Sequence, residues 1–325
     1  MQKSLKISNL EKYCTTNFTR VMIPKDKALK LIKIYMYVCS QYQETLNCYC
    51  QRYSNNSKPQ FSDQEILTIF LFVGSEQRYT RIKEIHSFAK EYLLDWFPGL
   101  VSYQTFVYRL NRMVGAVGEL LKHLIVSYKP DDCDENTLIV DSMPIMTCCG
   151  RNRQGKVARE IADKGYCSTK NQYYHGLKLH LVGYRRKGHL PFPSQIVLSS
   201  ASENDLTVFK RECVPAIAGK TIFADKIYRD NPYWDNEREV KNNELLTPVK
   251  AVKGATEEEK QRNKAADDLY SAAVSSVREP VEAFYSWLID KTNIQRAQKC
   301  RSTAGLLIHT LGKLAIAFIF LIFNY

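Results

Sequence analysis

Two short apolar runs, each ending on a single aspartate, restrict this chain more than any other feature. Thr137-Leu138-Ile139-Val140 leads into Asp141 after a polar, acidic turn, and Thr221-Ile222-Phe223-Ala224 leads into Asp225. Short apolar runs with β-branched residues, bounded by turn residues, read as buried strands. A carboxylate at the end of such a strand loses hydration and needs a partner. One such aspartate is as well explained as a cap for the following turn. Its recurrence points to acids brought together in space. A third acid fits the pattern: Val281, Phe284, Tyr285 and Leu288 fall on one helical face, and Glu282 flanks it. Two strand-end aspartates and one helical glutamate are oxygen ligands of the kind a hard divalent ion takes.

A chain of 325 residues, 45% of them hydrophobic, can bury one large core or two ordinary ones. The 25% charged content excludes global disorder. The net charge of +12 fits a polyanionic partner, most simply nucleic acid. The ten cysteines show no zinc spacing and no disulfide framework, which is the usage of a reduced, cytoplasmic protein. No apolar run near the N-terminus resembles a signal peptide. The apolar stretch from Leu314 to Phe323, with Lys313 and His309 interrupting its extension, is too short to span a bilayer, so a buried terminal helix and no membrane partner are expected.

Helical spacing dominates the first third. Leu31, Ile34, Tyr35 and Val38 mark one helix, and the Ser54–Pro59 stretch reads as a linker. Ser62 and Glu65 have the spacing of a capping box for a helix ending near Gly74. Another helix is expected from Thr80 to Asp95, stopped by Pro98-Gly99, and then one continuous helix from Ser102 to Tyr128. The last would carry Arg109, Arg112 and Lys122 outward, and the pair has the outline of a DNA-reading helix-turn-helix or of a plain bundle. From Thr137 the pattern changes to strands: 137–141, 178–182, 194–198, 221–225 and 244–248, with helices at 206–214 and 233–240 and late in the chain. The expected division is a helical N-terminal region, 1–130, with a DNA-binding role, and an α/β domain, 131–325.

At these residues the chain resembles the DDE-type bacterial insertion-sequence transposases of the retroviral-integrase superfamily. Their first Asp lies on strand one, the second ends strand four, and the Glu lies on a later helix. Asp141, Asp225 and Glu282 match these positions. Local features agree: the strand Tyr174-His175-Gly176-Leu177-Lys178-Leu179-His180, the Ala201 to Asp205 spacing, Lys226-Ile227-Tyr228 after the second Asp, and Arg278 four residues before the Glu. The chain departs from related families at Ser275, where they carry Tyr, and at Ile289, where they carry Lys; Lys291 stands two residues further on.

The resemblance implies an RNase H-like α/β fold, a mixed five-stranded sheet flanked by helices and preceded by an all-helical N-terminal domain. It implies a transposase that cuts DNA at element ends and joins them to target DNA. Asp141, Asp225 and Glu282 would be both catalytic and metal-holding, with Mg²⁺ as the ion and Mn²⁺ as substitute. Lys178, His180, Lys226, Arg278, Lys291, Arg109 and Arg112 are the DNA-contact candidates, and Lys164, Tyr166, Lys170, Tyr173 and Tyr174 interleave base and aromatic in a way that suits DNA. The partners would be terminal inverted repeats, target DNA and a second copy of the chain, at a bacterial nucleoid. Two alternatives stand beside this: a catalytically inactive DNA-binding protein derived from a transposase, and a structure-selective nuclease of the same fold.

Overall fold

The computed structural model describes residues 23–52, 59–151, 155–249 and 257–323. Most of the Ser54–Pro59 stretch and residues 250–256 lie outside them.

Five helices come first: α1 (Lys25–Glu44), α2 (Asp63–Gln77), α3 (Ile82–Tyr92), α4 (Tyr103–Arg112) and α5 (Val114–Ser127). The capping box at Ser62 and Glu65 is formed in both directions. Helix α2 runs past Gly74, contrary to the expected stop. The glycine serves packing instead: a Cβ there would stand 2.4 Å from the Ile316 side chain. The expected Ser102–Tyr128 helix is two helices that meet at Met113. Its apolar face survives the break, because Phe106, Leu110, Met113, Val117 and Leu121 are all buried.

Arg109 does not face outward. It is buried, donating to the Asp63 carboxylate at 2.7 Å and to the Phe61 carbonyl at 2.5 Å, and Arg52 takes the same carboxylate. A buried acid at the start of α2 needs opposite charge, and this outweighs hydration of the Arg109 head. Arg112 is exposed and lies over the Tyr108 ring.

The strands follow as β1 (Asp134–Cys149), β2 (Asp163–Cys167), β3 (Gln172–Arg185), β4 (Phe192–Ser200), β5 (Thr221–Phe223) and β6 (Glu244–Leu246). Antiparallel β4, β3 and β1 continue into parallel β5 and β6, and β2 shares with β4 the outer edge of β3. The sheet is thus mixed and five columns wide, as expected. Strand β2, absent from the strands expected from the sequence, forms a hairpin with β3. Between β4 and β5 lies α6 (Asp205–Val208), which continues into a wider turn, and α7 (Asn231–Lys241) joins β5 to β6.

Alternation along β1 and β3 sorts the sheet into two faces. Ile139, Met143, Ile145, Leu177, Leu179 and Leu181 join the large core that also contains α1–α5. Leu138, Val140 and Val182 pack on the other side with Phe209, Tyr228 and Trp234. The chain then passes through α8 (Glu257–Arg278) and α9 (Pro280–Thr292) to the helical run α10 (Thr303–Leu307) and α11 (Lys313–Phe323).

Thr303–Phe323 is one continuous helical stretch of 21 residues, long and apolar enough to cross a membrane, which corrects the shorter estimate from the sequence. Its most apolar window is 61% buried inside the protein, and α11 packs against α2, α5 and α9. Lys313 and His309 lie within it because each meets a carbonyl: Lys313 donates to Asn293 at 3.2 Å, and His309 pairs with Ile294 at 2.7 Å.

Removing Asp63 strands two buried guanidinium groups. Asp63→Ala is expected to destabilise the fold by about 3–5 kcal/mol in urea denaturation; a change under about 1 kcal/mol would show that the cluster is hydrated rather than buried.

Candidate active site

Asp141 lies inside β1 and not at its end. The strand continues for eight residues beyond it as a hairpin with β3. What ends near Asp141 is the contact with β5. The parallel register pairs Thr137 with Thr221, Leu138 with Ile222 and Ile139 with Phe223, then stops. Asp141 follows Ile139 by two residues, as Asp225 follows Phe223. Each acid thus stands two residues past the last paired position of its strand. Where β5 turns away, backbone pairing no longer fills the space between them.

Asp225 caps the turn that follows β5, its Oδ1 accepting from the Lys226 amide at 2.7 Å. Lys226 itself is exposed. Glu282 lies in the first turn of α9, where Pro280 fits because its missing N–H has no helical partner there. Helix α9 is pinned to β1 by Tyr285, which is buried and donates its hydroxyl to the Asp141 carbonyl at 2.8 Å. One turn before Tyr285, Glu282 is thereby brought to the Asp141 side of the sheet.

Arg278 ties the acids together. Its Nη1 lies 3.4 Å from Asp141 Oδ2, and its Nη2 donates to Glu282 Oε1 at 2.7 Å. The guanidinium is mostly buried, and its Nε has no hydrogen-bond partner. Burial holds the Asp141 carboxyl up at about 6; the Ser142 amide and Arg278 pull it down, while Asp225 and Glu282 push it up further. The last two effects are repulsion of Asp141 by the other two acids. Among the described residues no three acid, histidine or cysteine side chains converge tightly enough to grip an ion as they stand. The positive charge among these acids is Arg278.

Lys178 and His180 are on the opposite face of the sheet from the Asp141 carboxylate. They pair across β1 with Pro144 and Ser142, whereas Asp141 pairs with Leu181. Lys178 donates to Asp205 at 2.8 Å and to the Glu203 carbonyl at 2.7 Å. His180 is buried against Ser199 Oγ at 2.8 Å, and burial pulls it down to about 4, so it is neutral. Neither presents a free cation beside the acids. Lys291 lies near the far end of α9, beside Asp290 and over the Phe320 ring.

Two residues escaped the sequence reading as site residues. Tyr285 was visible only as part of an apolar helical face. Asp205, which accepts from Ser142 Oγ at 3.1 Å as well as from Lys178, was visible only within the Ala201–Asp205 spacing.

A family model described as the transposase DDE domain matches residues 132–319, more than half of the 325-residue chain. The chain belongs to the DDE transposase family. Its match begins just before β1 and ends in α11, so it takes in every strand and all three acids. No curated protein and no solved structure matches the chain. Members of this family act on DNA and in general use divalent metal, which suits the oxygen-rich cluster and the repulsion within it.

Tyr285→Phe removes one hydrogen bond and keeps the ring. Thermal unfolding should show a loss of about 1 kcal/mol, with far-ultraviolet dichroism unchanged. An unaltered midpoint would mean that the ring alone positions α9.

Proposed function

We propose that this transposase cuts DNA at the ends of a mobile element and joins the freed 3′ ends to target DNA, with Asp141, Asp225 and Glu282 as its catalytic acids. What supports the reading is that the parallel pairing of β1 with β5 stops two residues before each aspartate, and that a glutamate lies on a helix fastened to β1 at the first of them. Mg²⁺ is the expected ion, with Mn²⁺ as substitute; when bound, such an ion acidifies water and neutralises charge on the reacting phosphate.

The protein's own residues have distinct tasks in this reading. The three carboxylates form the binding set, the first of them half-shielded from water by the sheet and α9. Tyr285 fixes the spacing between β1 and α9. Arg278 holds Asp141 and Glu282 and would have to leave their oxygens for a divalent ion to take them, since two cations cannot share those oxygens. Lys226, exposed beside Asp225, is available for a phosphate. The N-terminal helices α1–α5 hold DNA, with α4 presenting Tyr103, Gln104, Tyr108 and Arg112 outward. Two copies of the chain, each on one element end, complete the reaction.

Asp141→Asn, Asp225→Asn and Glu282→Gln should each lower strand cleavage at least about a thousandfold, ~4 kcal/mol at the transition state, while binding to end DNA persists. A variant that cuts at near the parental rate removes its acid from the catalytic set. Parental protein that binds ends but never nicks them supports an inactive descendant. Nicking without joined product supports a nuclease.

A protonated Asp141 is a poor ligand. Because its carboxyl is held up at about 6 instead of 3.8, its neutral form favours the fold below about 3.8, and that contribution is lost as pH rises through about 6. The affinity for Mn²⁺ should therefore climb with pH up to about 6 and level off above it. Calorimetric titrations across this window test the point; a flat profile would contradict the raised value. Arg278→Gln should bind Mn²⁺ more tightly than the parent, and equal affinity would mean that the guanidinium does not compete.

A further inference from the structure

The end of the sheet away from α9's first turn carries a second concentration of chemistry that the acid cluster does not use. Strands β2 and β3 pair Tyr166 with Tyr173 across the hairpin. The two rings lie 5.0 Å apart at 57°, yet they remain 49% and 39% exposed. Lys164 stands over the Tyr173 ring at 5.3 Å and donates to the Arg151 carbonyl. Beside the hairpin is a cleft of about 540 Å³, lined by residues that include Cys148, Cys149, Lys156, Gln298 and Arg301. Its lining contains two cations and no acid.

Two exposed acids flank the hairpin outside that lining. Glu160 accepts from Thr303, and Asp163 accepts from the Lys164 amide at 2.7 Å. Arg159, Lys170, Arg296 and Lys299 are exposed in the same segments. A cross-strand tyrosine pair stabilises any hairpin. A pair left half exposed, flanked by cations and next to an acid-free cleft, has the composition of a nucleic-acid surface.

We propose that this hairpin end binds single-stranded DNA, its bases stacking on Tyr166 and Tyr173 and its phosphates passing Lys164, Lys156 and Arg301. The inference rests on DNA as the substrate and deepens that reading. Charge selects DNA over a second copy of the chain, because a copy brings another +12 to an already basic face. The aromatic pair selects unpaired over paired DNA, because a base offers its ring face only when it leaves the stack. Position agrees as well. Tyr173 lies on the same strand and the same face as Leu181, the partner of Asp141. The separation is about 26 Å at the usual rise per strand residue, less than one turn of duplex, ~34 Å. One DNA molecule can reach both places, and strands separated near a cut would arrive at the hairpin.

The test is fluorescence anisotropy of the full-length chain with a labelled oligothymidylate and with a duplex of equal length, across a salt series. Tyr166→Ala/Tyr173→Ala should weaken oligothymidylate binding about tenfold, by the usual worth of one stacked base, and leave the duplex affinity unchanged. Tyr166→Phe/Tyr173→Phe keeps the rings and should bind as the parent does, which separates lost stacking from a hairpin that fails to fold. Lys156→Glu/Arg301→Glu should weaken oligothymidylate binding and reduce its salt slope by roughly 1.4, the contribution of two phosphate contacts on a single strand.

Unchanged oligothymidylate affinity in the alanine pair overturns the proposal, as does an equal loss for both DNAs. A shift from dimer to monomer in sedimentation, with DNA affinity intact, also overturns it and makes this face an interface between copies. Parent protein that binds neither oligothymidylate nor duplex contradicts DNA as the substrate, whereas parent protein that binds both, with the alanine pair unchanged, contradicts the hairpin surface alone.

Discussion

The unpaired gap between β1 and β5 is the constraint on which the rest of the site depends. Parallel pairing ends at Ile139 and Phe223, and just beyond it the two strands carry aspartates where backbone hydrogen bonds would otherwise continue. Two carboxylates at that spacing repel each other, and burial raises the cost for Asp141 in particular. Such an arrangement persists only with positive charge beside it. Arg278 supplies that charge to Asp141 and also pairs with Glu282, so α9, remote in sequence, is tied to the sheet at a partly buried acid.

The surrounding packing makes this arrangement rigid. One face of β1 and β3 shares a continuous apolar core with the N-terminal helices, α9 and α11. The opposite face is closed by α6, α7 and their aromatic residues. Helix α11 reaches back to α2 closely enough that Ile316 packs into the space left by Gly74. The Tyr285 hydroxyl on the Asp141 carbonyl then transmits the position of α9 to the strand itself. The acids are therefore supported from both sides by elements whose burial is independent of any ligand.

Much of this was legible in the sequence, because strand and helix periodicities are strong where one face is buried. The apolar runs before Asp141 and Asp225, the capping box at Ser62 and the one-sided helix around Glu282 all carried local signals. What was not legible depended on partners distant in the chain. The true length of β1 is set by its hairpin with β3. The burial of Arg109 follows from Asp63 forty-six residues away. Lys178 and His180 were read from the sequence as DNA contacts, yet a one-residue offset in register from Leu181, the partner of Asp141, turns His180 to the other face. The C-terminal apolar stretch was read as starting at Leu314, whereas the helical run Thr303–Phe323 takes in His309 and Lys313, whose carbonyl partners only the folded chain provides.

The central claim is that three remote acids close on common ions once Arg278 gives way. Anomalous X-ray diffraction from crystals grown with Mn²⁺ tests it most directly. The account predicts manganese peaks bounded by the carboxylate oxygens of Asp141, Asp225 and Glu282, with the Arg278 guanidinium moved off Asp141. Manganese found elsewhere, or these carboxylates empty with Arg278 still bridging Asp141 and Glu282, would contradict it.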